Sequence, residues 1–169
     1  RFSNTINFEH TFYFTQELIE YIASKFKFKI VDKYEFENHS IFYAFEKDSS
    51  IKPKPLPNQY KKNKESYKNF IAYYRNVVDA MNKYIEKNSE KEVFLFGGHI
   101  FSQFLIYLGL NEKRIKFILD NSDEKNGLRL YGSDLFVEKP DIIKTFREPI
   151  VIVFAGQYQK EVESQIKGI

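Results

Sequence analysis

A strand, a glycine turn and a helix follow one another in the second half of the chain, and no other stretch constrains the fold as much. The strand is the short apolar run Glu92–Phe96, the turn is Gly97-Gly98, and apolar residues recur at helical spacing from His99 to Leu108. A second apolar run, Ile115 to Leu119, ends in Asp120-Asn121. Because open α/β sheets bind ligands outside the carboxyl ends of their strands, this pattern predicts a binding cleft.

The glycine turn suits a ligand because residues without a Cβ let the backbone turn sharply and leave N–H groups free at the start of the helix. We expect Gly98 and His99 to present backbone N–H groups, Asp120 and Asn121 to bind hydroxyls, and Tyr158 to contact a ring. The motif Gly-Gly-His-Ile-Phe-Ser is not the full G-x-G-x-x-G fingerprint, so a β-hairpin or a plain structural turn at the glycines, and a turn-capping Asp-Asn pair, stay open. The predicted binding residues are Gly97, Gly98, His99, Asp120, Asn121, Gly156 and Tyr158.

Composition narrows the class of protein. The 169 residues allow one domain, or one domain plus a fragment, and the absence of cysteine excludes disulfides, zinc–thiolate sites and cysteine nucleophiles. The 26 basic and 23 acidic residues are too balanced for a nucleic-acid-binding protein. No apolar run reaches the length of a membrane span and no leader opens the chain, so we expect a cytoplasmic protein that contacts neither nucleic acid nor membrane.

A proline-rich linker, Lys52–Asn58, divides the chain. Before it we predict a helix from Thr15 to Lys25, and an antiparallel pair of strands at Phe28–Tyr34 and Ser40–Phe45. After it, apolar residues at three- and four-residue spacing predict a long helix from Gln59 to Lys87.

The last third continues the α/β pattern. Pro140 opens a short helix, and Pro149–Phe154 is apolar throughout, which predicts a strand inside a parallel sheet. The turn at Gly156 then leads to a final helix, Gln159–Lys167. The predicted fold class is α/β: a Rossmann-like, mostly parallel sheet flanked by helices, preceded by a small α+β segment and a long linking helix.

Two histidines lie beside polar residues near the start of the chain, in Asn7-Phe-Glu9-His10 and in Asn38-His39-Ser40. A histidine next to a carboxylate suits a general base because its ordinary pKa of ~6.5 lets it accept a proton near neutrality. Glu-His pairs are also common on surfaces, so the residues alone leave both interpretations open.

The order of these motifs resembles the C-terminal portion of the S-adenosylmethionine-dependent sugar C-methyltransferases over essentially the whole chain. The most specific parts are the x-Glu-His signature at Glu9-His10 and the Asp120-Asn121 pair after the second strand. The resemblance implies that residues 1–50 are the tail of an upstream methyltransferase domain, 51–88 a linker and long helix, and 89–169 a Rossmann-like C-terminal domain.

The resemblance also implies a reaction. In that family a base removes a proton next to the ketone of a nucleotide-linked sugar, and the enolate takes the methyl group of S-adenosylmethionine. His10 matches the proposed base, Glu9 matches an acid that contacts the substrate, and His39 borders the same pocket, so we expect the two histidines to lie together. Asn7 stands where the family has tyrosine, which leaves carbon or oxygen methylation open.

The partners follow from the same resemblance. The cofactor is expected in a domain upstream in the same polypeptide, because residues 1–50 contain no glycine for a cofactor loop, so the isolated chain should be inactive. A homodimer is left open. The alternatives are a non-catalytic module that binds a sugar or nucleotide, and a purely structural α/β module.

Overall fold

The computed structural model of the protein describes Phe12, residues 14–36 and residues 40–169, with the exception of the Gln157 side chain. The chain forms two compact units, of which the first ends at Tyr67 and the second is Lys68–Ile169. The assignment of residues 1–50 and 89–169 to different domains of a longer protein stays a prediction.

The first unit contains a helix and an antiparallel pair of strands, as predicted. Helix α1 is Gln16–Lys25, and it begins where Thr15 Oγ1 accepts a hydrogen bond from the Leu18 N–H at 3.3 Å, so the threonine satisfies one of the free donors of the first turn. Strands β1, Phe28–Phe36, and β2, Ser40–Lys47, pair antiparallel.

The second unit begins within helix α2, Tyr60–Lys87, which was predicted from its apolar periodicity. Four strands and two helices follow, and only 3₁₀ turns separate β4, β5 and β6. They are β3 Val93–Phe96, α3 Ile100–Tyr107, β4 Ile115–Leu119, β5 Val137–Glu138, β6 Ile150–Val153 and α4 Gln159–Lys167. The short helix expected at Pro140 is a 3₁₀ helix, Pro140–Thr145.

The four strands of the second unit form one parallel sheet in the order β5-β4-β3-β6. The predicted α/β class is therefore confirmed. The prediction that the strand within Pro149–Phe154 lies inside the sheet is wrong for the part of the chain that the structure describes, since β6 pairs only with β3 and forms an edge. Its side chains are apolar because both faces of β6 are covered: Ile152 packs with the cluster that contains α2, and Val151 packs with the cluster that contains α4.

The core has two layers, one on each face of the sheet. Val93 and Leu95 of β3 pack with residues of α2 and α3, whereas Phe94 and Phe96 pack on the other face with Val162 of α4. This alternation follows from the two-residue period of a strand. Each fully buried side chain of this kind contributes about 1.5–3 kcal/mol. No helix in the described ranges is long and apolar enough to cross a membrane.

Candidate functional site

A cleft of about 310 Å³ lies at the carboxyl ends of β3, β4 and β6. After β3 the chain moves to β4 on one side, whereas β6 lies on the other side of β3, so the direction of winding reverses between β3 and β6. Such a reversal opens a crevice between the loops of neighbouring strands. The residues that line the cleft are Phe96, Gly97, His99, Asp120, Asn121, Lys125, Ala155, Tyr158, Glu161 and Val162.

Gly97 forms the turn after β3 and makes room for an imidazole. Its φ of +110° is a conformation that residues with a Cβ rarely adopt, and a Cβ at Gly97 would lie 2.3 Å from His99 Nε2. The turn is held on both sides, since the Gly97 N–H donates to the Leu119 carbonyl and Ser102 Oγ donates to the Gly97 carbonyl. A glycine is therefore required here by backbone geometry and by the position of His99.

Asp120 joins the turns that follow β3 and β4. Its Oδ2 accepts from the Gly98 N–H at 2.7 Å and from Lys125 Nζ at 3.0 Å, and its Oδ1 accepts from the Ser122 N–H at 2.9 Å. Burial of the carboxyl raises its pKa, but the hydrogen bonds from Ser122, Lys125 and Gly98 outweigh burial, so the pKa of Asp120 lies below its ordinary value. Asp120 is thus an ionised, hydrogen-bonded part of the cleft wall.

Asn121 connects the end of β4 to α4. Its side-chain amide donates to Gln165 Oε1 at 3.0 Å and accepts from Gln165 Nε2 at 2.8 Å. The backbone carbonyl of Asn121 accepts from Lys139 Nζ at 2.7 Å. The amide is exposed to solvent. Asn121 therefore has a structural role through Gln165, a partner that the sequence did not indicate, and any contact of its side chain with a ligand must compete with Gln165.

His99 caps helix α3. Its Nδ1 accepts a hydrogen bond from the Phe101 N–H at 3.2 Å. The Phe101 ring packs edge-on against the imidazole, with 5.0 Å between the two ring centroids. Burial lowers the pKa of His99, the charge of Lys125 lowers it further, and Asp120 opposes both, so the pKa lies below the ordinary value for histidine. The imidazole is consequently neutral at pH 7.

Three further side chains line the cleft: Tyr158 and Glu161, which follow β6, and Lys125, which follows β4. Tyr158 is 58% exposed, so its ring stands at the rim. The ammonium of Lys125 donates to Asp120 and its side chain is 41% exposed, which leaves further N–H donors towards solvent. Neither Lys125 nor Glu161 was among the residues expected from the sequence. Both follow a strand end by several residues, and only the folded loops bring them back to the cleft.

The structure brings five of the seven predicted binding residues together around the cleft: Gly97, His99, Asp120, Asn121 and Tyr158. Gly98 packs against Asp120, because a Cβ at Gly98 would lie 3.2 Å from Asp120 Oδ2. Gly156 packs against Phe101, because a Cβ at Gly156 would lie 3.5 Å from the Phe101 ring. Neither glycine lines the cleft.

The backbone N–H groups of Gly98 and His99 do not point to a ligand in the cleft, contrary to the expectation from the sequence. The Gly98 N–H donates to Asp120 and the His99 N–H donates to the Gly97 carbonyl, so both donors are used within the chain. The turn is tightened by its own hydrogen bonds instead of opening as an anion cradle. All four predicted catalytic residues lie outside the described residues: Asn7, Glu9, His10 and His39.

The fold and the cleft define an α/β domain with a ligand-sized crevice at the switch point of a parallel sheet. The profile of the family described as the C-methyltransferase C-terminal domain matches residues 58–169, well over half of the chain. The chain belongs to this family, and its function is methyltransferase-related. No curated protein matches the sequence.

Proposed function

We propose that this chain is the substrate-binding portion of an S-adenosylmethionine-dependent methyltransferase that acts on a nucleotide-linked sugar. One observation supports this most: the loops after three parallel strands converge on one cleft at the place where the winding reverses. Its volume of about 310 Å³ lies at the lower end of the range typical of small-molecule sites, roughly 300–1,000 Å³.

Beside the carboxylates of Asp120 and Glu161, three polar side chains of the cleft suit the groups of a nucleotide-linked sugar. Lys125 supplies a positive charge that a diphosphate would bind, and the Tyr158 hydroxyl and the His99 imidazole supply hydrogen-bonding groups for a sugar. Phe96 and Val162 add an apolar surface for a ring. A mixture of apolar lining with a few polar groups is typical of ligand sites.

The hydrogen bonds of Asp120 argue against S-adenosylmethionine as the ligand of this cleft. In dinucleotide-binding folds an acidic residue after the second strand binds the ribose hydroxyls, and Asp120 occupies that place. Both oxygens of Asp120 already accept hydrogen bonds, from Gly98, Ser122 and Lys125. We therefore place S-adenosylmethionine in an upstream domain of the same polypeptide, as the resemblance implies, and the sugar in the present cleft.

The test is calorimetric titration of the chain with uridine diphosphate glucose and thymidine diphosphate glucose. Lys125→Met should weaken binding roughly 10-fold or more, because hydrogen bonds to charged groups contribute about 1.5–3 kcal/mol. Lys116→Met is the matched control: Lys116 is also a partly exposed lysine paired with a carboxylate, Glu92, at 2.8 Å, and it does not line the cleft. Equal affinities for the two variants would contradict the assignment of the cleft.

A structural role without ligand binding is the second candidate, and a specific observation favours it. The side chains of Asp120 and Asn121 are already satisfied by partners within the chain, as they would be if they only fixed the loops. This candidate predicts that neither nucleotide sugar gives saturable heat, whereas Asp120→Asn still lowers the free energy of unfolding. Saturable binding that depends on Lys125 would exclude it.

A further inference from the structure

The proton on the His99 ring has a fixed position. Because Nδ1 accepts the hydrogen bond from the Phe101 N–H, Nδ1 carries no proton, and a neutral imidazole must then carry its proton on Nε2. Burial and the neighbouring charge of Lys125 favour this neutral form, whereas Asp120 opposes them. The helix cap thus selects one tautomer of a side chain that lines the cleft.

The Nε2 atom is a donor without an acceptor within the described ranges of the chain. It lies over Gly97, in the space that any larger residue would fill. Cap, glycine and Phe101 ring together hold the imidazole in one orientation. A side chain fixed in this way loses little conformational entropy when it binds a ligand.

We propose that His99 is a specificity-determining residue of this cleft, whose Nε2–H donates a hydrogen bond to an acceptor oxygen, a hydroxyl or a ketone, of the bound sugar. The inference rests on the proposed function, because the sugar is the ligand assigned to the cleft there. It adds the atom that recognises the sugar and the chemical class that this atom selects: an acceptor oxygen and not an ammonium group, which would place donor against donor.

The arrangement predicts a dependence on pH. When His99 is protonated, Nδ1 gains a hydrogen that points at the Phe101 N–H, so the cap is lost and the ring must turn. Binding should therefore be strongest above the pKa of His99 and weaken as the pH falls through it. The other titratable groups around the cleft are Asp120, Lys125, Tyr158 and Glu161. Only Asp120 and Lys125 among them contribute to the shift of the His99 pKa.

The decisive variant is His99→Asn. Asparagine is a favoured N-cap residue, and its short side chain places an acceptor near the Phe101 N–H, so the helix keeps its cap. It cannot place a donor where Nε2 now lies. We expect binding of uridine diphosphate glucose to weaken roughly 10-fold, the effect of losing one well-placed hydrogen bond, while the midpoint of urea unfolding stays unchanged.

Nitrogen-15 NMR of the imidazole tests the tautomer without any ligand. At pH 7 the spectrum should show a bare Nδ1 and a protonated Nε2, and the Nε2 proton should shift when uridine diphosphate glucose is added. A ring protonated on Nδ1, or a charged ring at pH 7, would overturn the inference. If the wild-type chain binds the nucleotide sugar and His99→Asn binds it equally well, the role of His99 fails alone. If the wild-type chain binds neither nucleotide sugar, the proposed function fails and the inference fails with it.

Discussion

Replacing Gly97 by alanine should destabilise the protein more than the same replacement at Gly109. The two glycines are matched, because their φ values are +110° and +105° and both conformations are unfavourable for alanine. Their surroundings differ. A Cβ at Gly109 meets nothing within 4 Å, whereas a Cβ at Gly97 would lie 2.3 Å from His99 Nε2 and 2.7 Å from Cε1.

The difference between the two variants isolates the His99 contact. Each substitution places a residue with a Cβ in an unfavourable backbone conformation, at a cost of about 1–3 kcal/mol, and each removes a similar amount of freedom from the unfolded chain. Only Gly97→Ala also displaces the His99 ring and with it the cap of α3, which contributes about 1 kcal/mol. We therefore expect Gly97→Ala to reduce the free energy of unfolding by about 1–2 kcal/mol more than Gly109→Ala.

Urea unfolding followed by far-ultraviolet circular dichroism measures this difference. The same substitution in a His99→Ala background is the control for mechanism, since removing the ring removes the clash. In that background the effect of Gly97→Ala should fall to the effect of Gly109→Ala. If the two glycine variants are equally stable with His99 present, the reasoning from the Cβ contact is refuted.

Three further predictions concern the charges and the cofactor. Asp120→Asn should lower the free energy of unfolding at pH 7 by about 1–3 kcal/mol. Because the pKa of Asp120 is lowered in the folded state, this advantage of the wild type is present above pH ~4 and shrinks as the pH falls below it. Urea titrations between pH 7 and pH 3 can follow the change. Lys125→Met should raise the pKa of His99, since Lys125 lowers it, and an NMR titration that finds no rise would contradict the assigned cause. Titration of the 169-residue chain with S-adenosylmethionine should give no saturable heat, and tight binding would mean that the Rossmann-like unit is assigned to the wrong domain.

Local signals explain why most elements were predictable. The apolar periodicity of α2, the Thr15 cap of α1 and the glycine turn after β3 each report on neighbouring residues, and each element was found within a few residues of its expected bounds. The position of β6 was not predictable in this way. Ile150–Val153 is apolar because helices cover both of its faces, and composition does not reveal whether a strand has one neighbour or two.

For the candidate site, the positions of residues at the strand ends were predictable from the sequence, whereas their hydrogen bonds were not. The carboxyl ends of parallel strands share one edge of the sheet, so Gly97 and Asp120 could be placed at a common cleft from their positions after apolar runs. The hydrogen bonds of the cleft depend on loop conformation. The Gly98 N–H donates to a carboxylate 22 residues away, that of Asp120. Tertiary packing decides this contact, so the local sequence does not predict it.

Crystals of the chain soaked with uridine diphosphate glucose and thymidine diphosphate glucose would test the central claim most directly. We expect electron density for the nucleotide sugar in the cleft at the ends of β3, β4 and β6, with Lys125 within reach of the diphosphate and a sugar oxygen about 3 Å from His99 Nε2. Density at another place on the second unit, or an empty cleft at millimolar ligand, would contradict it.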